Sequence, residues 1–131
     1  MGDRSYADKP LLDRLGVKAG MRVAVIGVGD RGFVTDLRGR TGDITLDEPA
    51  AETDAIFLGV DDPKDMEQMA GLRTWIKPSG GVWVVFRKGQ KEFSENDVLR
   101  LGLESGLVDV KVVRFSETHT ALKFVIRKAE R

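Results

Sequence analysis

The apolar residues of this chain fall into short runs, separated by polar stretches that contain glycine and proline. Four runs predict strands, and the first and third are almost continuously apolar, as in strands covered on both faces of a parallel sheet. In chain order these strands are Arg22–Val28, Ile44–Leu46, Ala55–Val60 and Val82–Phe86. The last two apolar runs, Val108–Phe115 and Ala121–Ile126, are joined by a connection too short for a parallel crossover. They are therefore expected to pair as an antiparallel hairpin.

Segments with helical spacing lie between these strands. Three of them begin at proline or capping signals: a short helix from Pro10 to Leu15, a segment from Asp62 to Ile76, and a helix from Ser94 that ends near Gly106. A further short helix carries Phe33, Val34 and Leu37. The alternation predicts an α/β fold: a single Rossmann-like, mostly parallel sheet of about six strands with a C-terminal antiparallel hairpin and helices on both faces.

Composition narrows the classes of protein that fit this pattern. The chain has 131 residues, which matches one domain; residues 10–131 are predicted to form it, after a loose polar segment at residues 1–9. Lys plus Arg and Asp plus Glu both number 21, so overall charge gives no indication of nucleic acid or an anionic membrane as a partner. There is no cysteine and no apolar run long enough to cross a membrane. We expect a soluble cytoplasmic protein.

A glycine pattern follows the first strand. Gly27, Gly29 and Gly32 form a G-x-G-x-x-G sequence before a helix, and such glycines let backbone N–H groups approach a pyrophosphate or an adenosine ligand. The dinucleotide pattern also has an acid about 20 residues further on, which binds ribose hydroxyls. Asp47 or Glu48 could supply that acid. The alternative is that these glycines only make a tight turn, because Asp30 in the loop would repel a phosphate.

Three cations follow the fourth strand. Arg87, Lys88 and Lys91 would lie beyond the carboxyl ends of the strands, where open α/β sheets bind their ligands. They are candidates for an anion-binding site near the glycine turn. The alternative is a solvated loop, in which surface charges contribute little.

The remaining polar residues do not predict a catalytic site. Asp61 and Asp62 could act as an acid–base pair or bind a metal, but we interpret both as part of a helix start before Pro63. His119 is the only histidine and is interpreted as an exposed turn residue. Without cysteine, a single histidine does not make a zinc site, so no metal site is expected. Trp75 and Trp83 fall at spacings typical of core packing.

Two stretches, Leu12–Val25 and Trp75–Val85, resemble class I methyltransferase domains at their entry and at the approach to their fifth strand. Nearly the whole chain resembles a bacterial family of short Rossmann-like proteins, domain of unknown function 3052. That resemblance is most specific at Gly106–Val112 and Leu122–Val125. The first resemblance implies a fold that binds S-adenosylmethionine; the second implies the same fold without an established activity.

These observations leave three functional hypotheses open. The first is a non-catalytic Rossmann-like domain that binds a partner or a small anion. The alternative is a minimal S-adenosylmethionine- or nucleotide-binding protein related to class I methyltransferases, which would use Gly27, Gly29, Gly32 and Asp47. The third is a homo-oligomer that forms when an edge strand of the closing hairpin pairs with a second copy.

Overall fold

The computed structural model describes residues 10–131, which contain six strands. The segment predicted to be loose, residues 1–9, lies outside the described residues. In chain order the strands are β1 (Arg22–Ile26), β2 (Asp43–Leu46), β3 (Thr53–Val60), β4 (Ile76–Arg87), β5 (Val108–Arg114) and β6 (His119–Val125). The helices are α1 (Leu11–Arg14), α2 (Arg31–Arg40), a 3-10 helix (Pro63–Gln68) that leads into α3 (Met69–Leu72), α4 (Glu95–Glu104) and a 3-10 turn (Lys128–Glu130).

The six strands form one sheet in the order β2-β1-β3-β4-β6-β5. β1 pairs in parallel with β2 and β3, and β3 pairs in parallel with β4, whereas β6 is antiparallel to both β4 and β5. The chain therefore runs outward from β1 to β2 and then returns to the other side of β1. This reversal creates a topological switch point between β1 and β3. The predicted α/β fold with a mostly parallel sheet and a closing hairpin is confirmed.

Helices cover both faces of the sheet, as predicted. On one face the 3-10 helix, α3 and α4 pack on the strands through an apolar cluster that includes Met66, Met69, Val98, Leu58, Val84 and Phe124. On the other face α1 and α2 contribute to a second cluster, which includes Leu12, Leu37, Val25, Phe57 and Trp83. Trp83 is almost completely buried, so its predicted packing role is confirmed. The sheet is thus held between two apolar layers.

The helix start predicted at Ser94 is confirmed, and it is a capping box formed with Asp97. The Ser94 N–H donates to Asp97 Oδ2 at 2.9 Å, and the Asp97 N–H donates back to Ser94 Oγ at 3.3 Å. The N–H and the hydroxyl of Ser94, which both donate to Asp97 Oδ2, stabilise the ionised carboxylate and lower the pKa of Asp97. Local chemistry at Ser94 therefore fixes where this helix begins.

The predicted helix over Met66–Ile76 is wrong at its C-terminal end. The helix ends at Leu72, and Ile76 instead begins β4 by pairing with Thr53. Trp75 lies in the intervening turn and is 40% exposed, so its assignment to the core was also wrong. The apolar residues beyond Leu72 match helical spacing by coincidence, because the burial of Ile76 comes from the sheet.

Proline and glycine at Pro78–Gly81 predict a break between helix and strand, but this stretch lies inside β4. A Cβ at Gly80 would come within 2.9 Å of the carbonyl oxygens of Asp54 and Thr53. Glycine is needed there because two backbones pass closer than any side chain allows.

Two other glycines also mark close contacts. A Cβ at Gly59 would collide with the carbonyl oxygen of Gly27 and lie 2.7 Å from its carbonyl carbon. The backbones of β1 and β3 therefore touch at their carboxyl ends. In α4, a Cβ at Gly102 would collide with the ring of Phe124. The first contact is between backbones, whereas the second is between a helix and a side chain.

The two edges of the sheet are β2 and β5. On β5, Val110 and Val112 are 55% and 53% exposed. The register of β5 on β6 shifts between Asp109 and Lys111, so Val110 is an extra residue in this edge strand. Bulges of this kind disfavour pairing of an edge strand with another chain. Homo-oligomer formation along β5 stays a prediction.

None of the helices within residues 10–131 combines the length and apolar character that a membrane span requires.

Candidate functional site

A crevice of about 490 Å³ opens at the carboxyl ends of the strands, at the switch point between β1 and β3. This volume falls within the roughly 300–1,000 Å³ that is typical of small-molecule sites. One wall is the turn Gly27–Asp30, the floor is the end of β3 at Gly59–Asp61, and the other wall comes from β4 and the closing hairpin. The residues of that second wall are Val85, Phe115, Ser116 and His119.

The three glycines of the G-x-G-x-x-G pattern have different roles. Gly27 has a φ of +72°, which other residues rarely adopt. A Cβ at Gly32 would lie 3.3 Å from Asp30 Oδ1, so this glycine leaves room for the Asp30 side chain. Gly29 has no positive φ, and a Cβ there would meet no described atom within 4 Å. Because Gly29 lines the crevice, the open space beside it is space that a ligand can fill.

Asp30 occupies the position where a helix N-terminus would bind an anion. It is the N-cap of α2, and its Oδ1 accepts the N–H of Phe33 at 3.0 Å. Asp30 also lines the crevice. A phosphate at this helix terminus would have to displace or approach a carboxylate, which is unfavourable.

The structure brings Asp47 to the glycine turn. Asp47 directly follows β2, has a φ of +62°, and donates its N–H to the Val25 carbonyl at 2.7 Å. Its Oδ1 accepts the N–H of Gly27 at 3.4 Å. Asp47 is not among the residues that line the crevice, although it contacts the glycine turn that forms one of its walls.

Asp61 and Asp62 have separate roles, so the interpretation of both as helix caps is wrong for Asp61. Asp62 Oδ1 accepts the N–H groups of Lys64 and Asp65 at 2.9 and 3.3 Å, which confirms it as the cap. Asp65 reaches back, and its Oδ2 accepts the Asp61 N–H at 2.8 Å. The Asp61 carboxylate has no hydrogen bond or ion pair among residues 10–131, and it lines the crevice.

The interpretation of His119 as an exposed turn residue is wrong. It is the first residue of β6, is half-buried, and lines the crevice. Its Nδ1 lies 2.7 Å from Thr118 Oγ1. The predicted strand began at Ala121, two residues after the observed start of β6, which is why His119 was placed outside the sheet.

The three predicted anion-binding cations do not line the crevice. Arg87 is the last residue of β4 and pairs with His119 across the ladder, and Lys88 and Lys91 follow in the loop. All three are exposed. The structure therefore does not bring these cations together with the glycine turn in one cavity. Within the described part of the chain, no group of three or more His, Asp and Glu residues could hold a metal ion.

Gly59 is a site residue that the sequence reasoning missed. It lies in the floor of the crevice and allows β1 and β3 to approach at the switch point. An isolated glycine within an apolar strand pattern often marks such a close approach, and this signal was present in the run Ala55–Val60.

No protein-family model matches the chain, and no curated protein matches it significantly in sequence. The resemblance to domain of unknown function 3052 therefore stays a prediction. Solved structures do match. A type 11 methyltransferase from Sulfolobus solfataricus, described as putative, has a TM-score of 0.62 at 14% identity, with 89% of each chain covered.

Two further structures extend this similarity. The 1,6-didemethyltoxoflavin-N1-methyltransferase of Burkholderia thailandensis, solved with S-adenosylhomocysteine, has a TM-score of 0.61 at 13% identity, covering 89% of this chain and 75% of that one. LaPhzM has a TM-score of 0.61 at 13% identity and covers 82% of this chain, which spans only 50% of its length. At these identities the similarity shows the fold alone: the chain has a methyltransferase-like Rossmann fold.

Proposed function

We propose that this protein binds S-adenosylmethionine in the crevice between the carboxyl ends of β1 and β3, as a relative of the S-adenosylmethionine-dependent methyltransferases. One observation carries the proposal. At the switch point of the sheet, a cavity of ligand size combines a glycine that packing does not require, Gly29, with two carboxylates, Asp30 and Asp61. Ligands of open α/β sheets bind at this position.

The charges of the crevice favour this cofactor over a dinucleotide. S-adenosylmethionine carries a positively charged sulfonium, whereas a dinucleotide carries a negatively charged pyrophosphate. The lining contains Asp30 and Asp61 but no lysine or arginine. A cation is attracted to these carboxylates and a pyrophosphate is repelled. The cap that Asp30 makes on α2 also fills the helix terminus that a pyrophosphate would use.

Asp47 supports an adenosine ligand at the same wall. One of its carboxylate oxygens accepts the Gly27 N–H at 3.4 Å, and its second oxygen remains able to accept a ribose hydroxyl. Its place after β2, beside the glycine turn, is where the ribose-binding acid of Rossmann folds stands.

This proposal replaces the first hypothesis of a non-catalytic interaction domain. The structures that share the fold include methyltransferases, one of them solved with S-adenosylhomocysteine, which favours a cofactor-binding relative. The proposal covers cofactor binding and leaves the methyl acceptor open.

The test is a panel of ligands in thermal denaturation and calorimetry: S-adenosylmethionine, S-adenosylhomocysteine, NAD and ATP. At 100 times its dissociation constant, a bound ligand stabilises the fold by about 2.7 kcal/mol. We expect stabilisation by the first two ligands only. Asp61→Asn should weaken S-adenosylmethionine by about tenfold and S-adenosylhomocysteine much less, because only the former carries the sulfonium charge.

The control variants separate binding from folding. Gly29→Val should abolish binding by filling the crevice, with little loss of stability. Gly42→Val is the matched control, since a Cβ at Gly42 also meets no described atom within 4 Å but lies outside the crevice. The proposal fails if neither adenosyl ligand stabilises the wild-type protein, or if NAD and ATP stabilise it equally well.

A further inference from the structure

His119 lies on the wall of the crevice that faces the glycine turn. It belongs to β6, which is separated from β1 by β3 and β4 in the sheet, and Ser116 lies beside it in the lining. A cofactor held at Gly29 would therefore leave the His119 wall for a second molecule.

The hydrogen bonds of Ser116 favour donation of its hydroxyl proton to Thr118. Ser116 Oγ accepts the N–H of Thr118 at 3.3 Å and the N–H of His119 at 3.1 Å. A hydroxyl has two lone pairs and one proton, so both acceptor positions are used. The remaining O–H is left to donate, and Thr118 Oγ1 lies 3.3 Å away.

This direction continues through Thr118 to His119. Thr118 Oγ1 lies 2.7 Å from His119 Nδ1, and its one proton can be donated to this ring nitrogen. A neutral imidazole that accepts at Nδ1 carries its proton on Nε2. Within residues 10–131, Nε2 has no hydrogen-bond partner.

We propose that His119 is the hydrogen-bond donor of a second subsite in the crevice, where its Nε2–H binds a neutral carbonyl or amide oxygen of a second ligand. The description of this ligand as the cofactor's reaction partner rests on the proposed function; the donor state of His119 does not. When Ser116 donates its proton to Thr118, His119 is the one side chain of the crevice lining with an N–H or O–H left to donate.

The chemistry of the surrounding wall selects a neutral ligand. Asp30 and Asp61 line the same crevice and disfavour a carboxylate or phosphate. Val85 and Phe115 provide apolar contact beside His119. A proton on Nε2 also means that His119 binds an oxygen rather than removing a proton from the ligand at this nitrogen.

The tautomer can be measured directly, because His119 is the only histidine in the chain. Nitrogen-15 NMR of the ligand-free protein, in alkaline solution where free imidazole is neutral, should show a protonated Nε2 and an unprotonated Nδ1. Thr118→Val removes the hydroxyl and should produce a mixture of tautomers. Thr35→Val, which removes an exposed threonine hydroxyl on α2, should leave the spectrum of His119 unchanged. A wild-type spectrum with the proton on Nδ1 overturns the proposal.

The ligand class is tested with benzamide and benzoate, which share a ring and differ in charge. In the presence of S-adenosylhomocysteine, benzamide should shift the Nε2 resonance, and benzoate should bind about tenfold more weakly, equivalent to roughly 1.4 kcal/mol of charge repulsion. His119→Gln retains an N–H donor and should retain benzamide binding, whereas His119→Ala should lose it. Equal binding of the two probes, or no shift with benzamide, contradicts the subsite. Since the tautomer is measured without cofactor, its failure is distinguishable from failure of cofactor binding.

Discussion

The two ends of the parallel strands use their charged residues in opposite ways. At the amino ends, Arg22 Nε lies 3.0 Å from Asp43 Oδ2, and Lys77 Nζ lies 3.0 Å from Asp54 Oδ1. Asp54 Oδ2 also accepts the Arg22 N–H at 2.9 Å. At the carboxyl ends, the Asp61 carboxylate has no comparable partner in the part of the chain that the structure describes.

This difference separates stability from binding within one small sheet. A carboxylate that is already paired with a lysine and accepts a backbone N–H has most of its charge and acceptor positions in use within the protein. A carboxylate without such partners can bind a cation from solution. The charged residues of the amino ends are therefore expected to carry stability and those of the carboxyl ends to carry recognition. Three sets of variants separate residues that stabilise the fold by packing or by charge from residues left to bind a ligand.

The largest effect is expected from Gly59→Ala, because its Cβ would collide with the backbone of Gly27 and force β1 and β3 apart. We expect a loss of about 2–4 kcal/mol in the free energy of unfolding, measured by urea denaturation. Gly29→Ala, at the same end of the sheet, should change stability by less than about 0.5 kcal/mol. Similar losses for both variants would contradict the separation of the two glycines into a packing and a ligand-facing role.

A direct comparison of the two ends comes from Asp54→Ala and Asp61→Ala. Asp54→Ala removes the partner of Lys77 and the acceptor of the Arg22 N–H, and should cost about 1–2 kcal/mol of stability. Asp61→Ala should stay within about 0.5 kcal/mol of the wild type. S-adenosylmethionine affinity, measured by calorimetry, should show the reverse order. If Asp61→Ala destabilises the fold as much as Asp54→Ala, the carboxyl ends also depend on charge for stability.

The smallest effect concerns Lys123 on β6, a half-buried lysine in no ion pair with residues 10–131. Its Nζ lies 5.7 Å from the centroid of the Trp83 ring, and Lys111 is its cross-strand neighbour. Burial, and secondarily the charge of Lys111, lowers the pKa of Lys123. Protonated Lys123 therefore opposes folding, and this cost disappears as pH rises from the lowered pKa toward the ordinary value of 10.5.

Lys123→Met keeps an apolar side chain over Trp83 and removes the charge. It should stabilise the protein at neutral pH by about 0.2–1 kcal/mol and flatten the gain in stability at alkaline pH. Urea denaturation between neutral pH and pH about 10 measures both effects. Lys77→Met is the comparison variant and should destabilise instead, because Lys77 is paired with Asp54. A loss of stability in Lys123→Met would show that the contact with Trp83 outweighs the cost of burial.

The sequence predicted the sheet well, because the apolar runs at β1 and β3 directly reflect burial on two faces. The antiparallel hairpin followed from the length of its connection. The prediction failed at Trp75 and Ile76, whose spacing fits a helix although only Ile76 is buried, in a strand. The spacing of apolar residues indicates that they are buried, but it does not show whether a helix or a strand buries them.

The candidate site was less predictable, because the sequence does not show which carboxylate accepts each backbone N–H group. Asp61 is free because Asp62 caps the helix and Asp65 reaches back to the Asp61 N–H. No local pattern distinguishes that arrangement from one in which Asp61 is itself the cap. His119 entered the site only through the register of β6 on β4, which is a long-range property.

The contacts at Gly59 and Gly102 differ in whether a second substitution can repair a first. The obstacle at Gly59 is the main chain of residue 27, which is present whatever side chain stands there. No partner change at that position can rescue a larger residue. The obstacle at Gly102 is the ring of Phe124, so Gly102→Ala combined with Phe124→Leu should recover stability that the single substitution loses. Among descendants of this chain, position 102 can therefore drift together with position 124, whereas position 59 has no compensating partner.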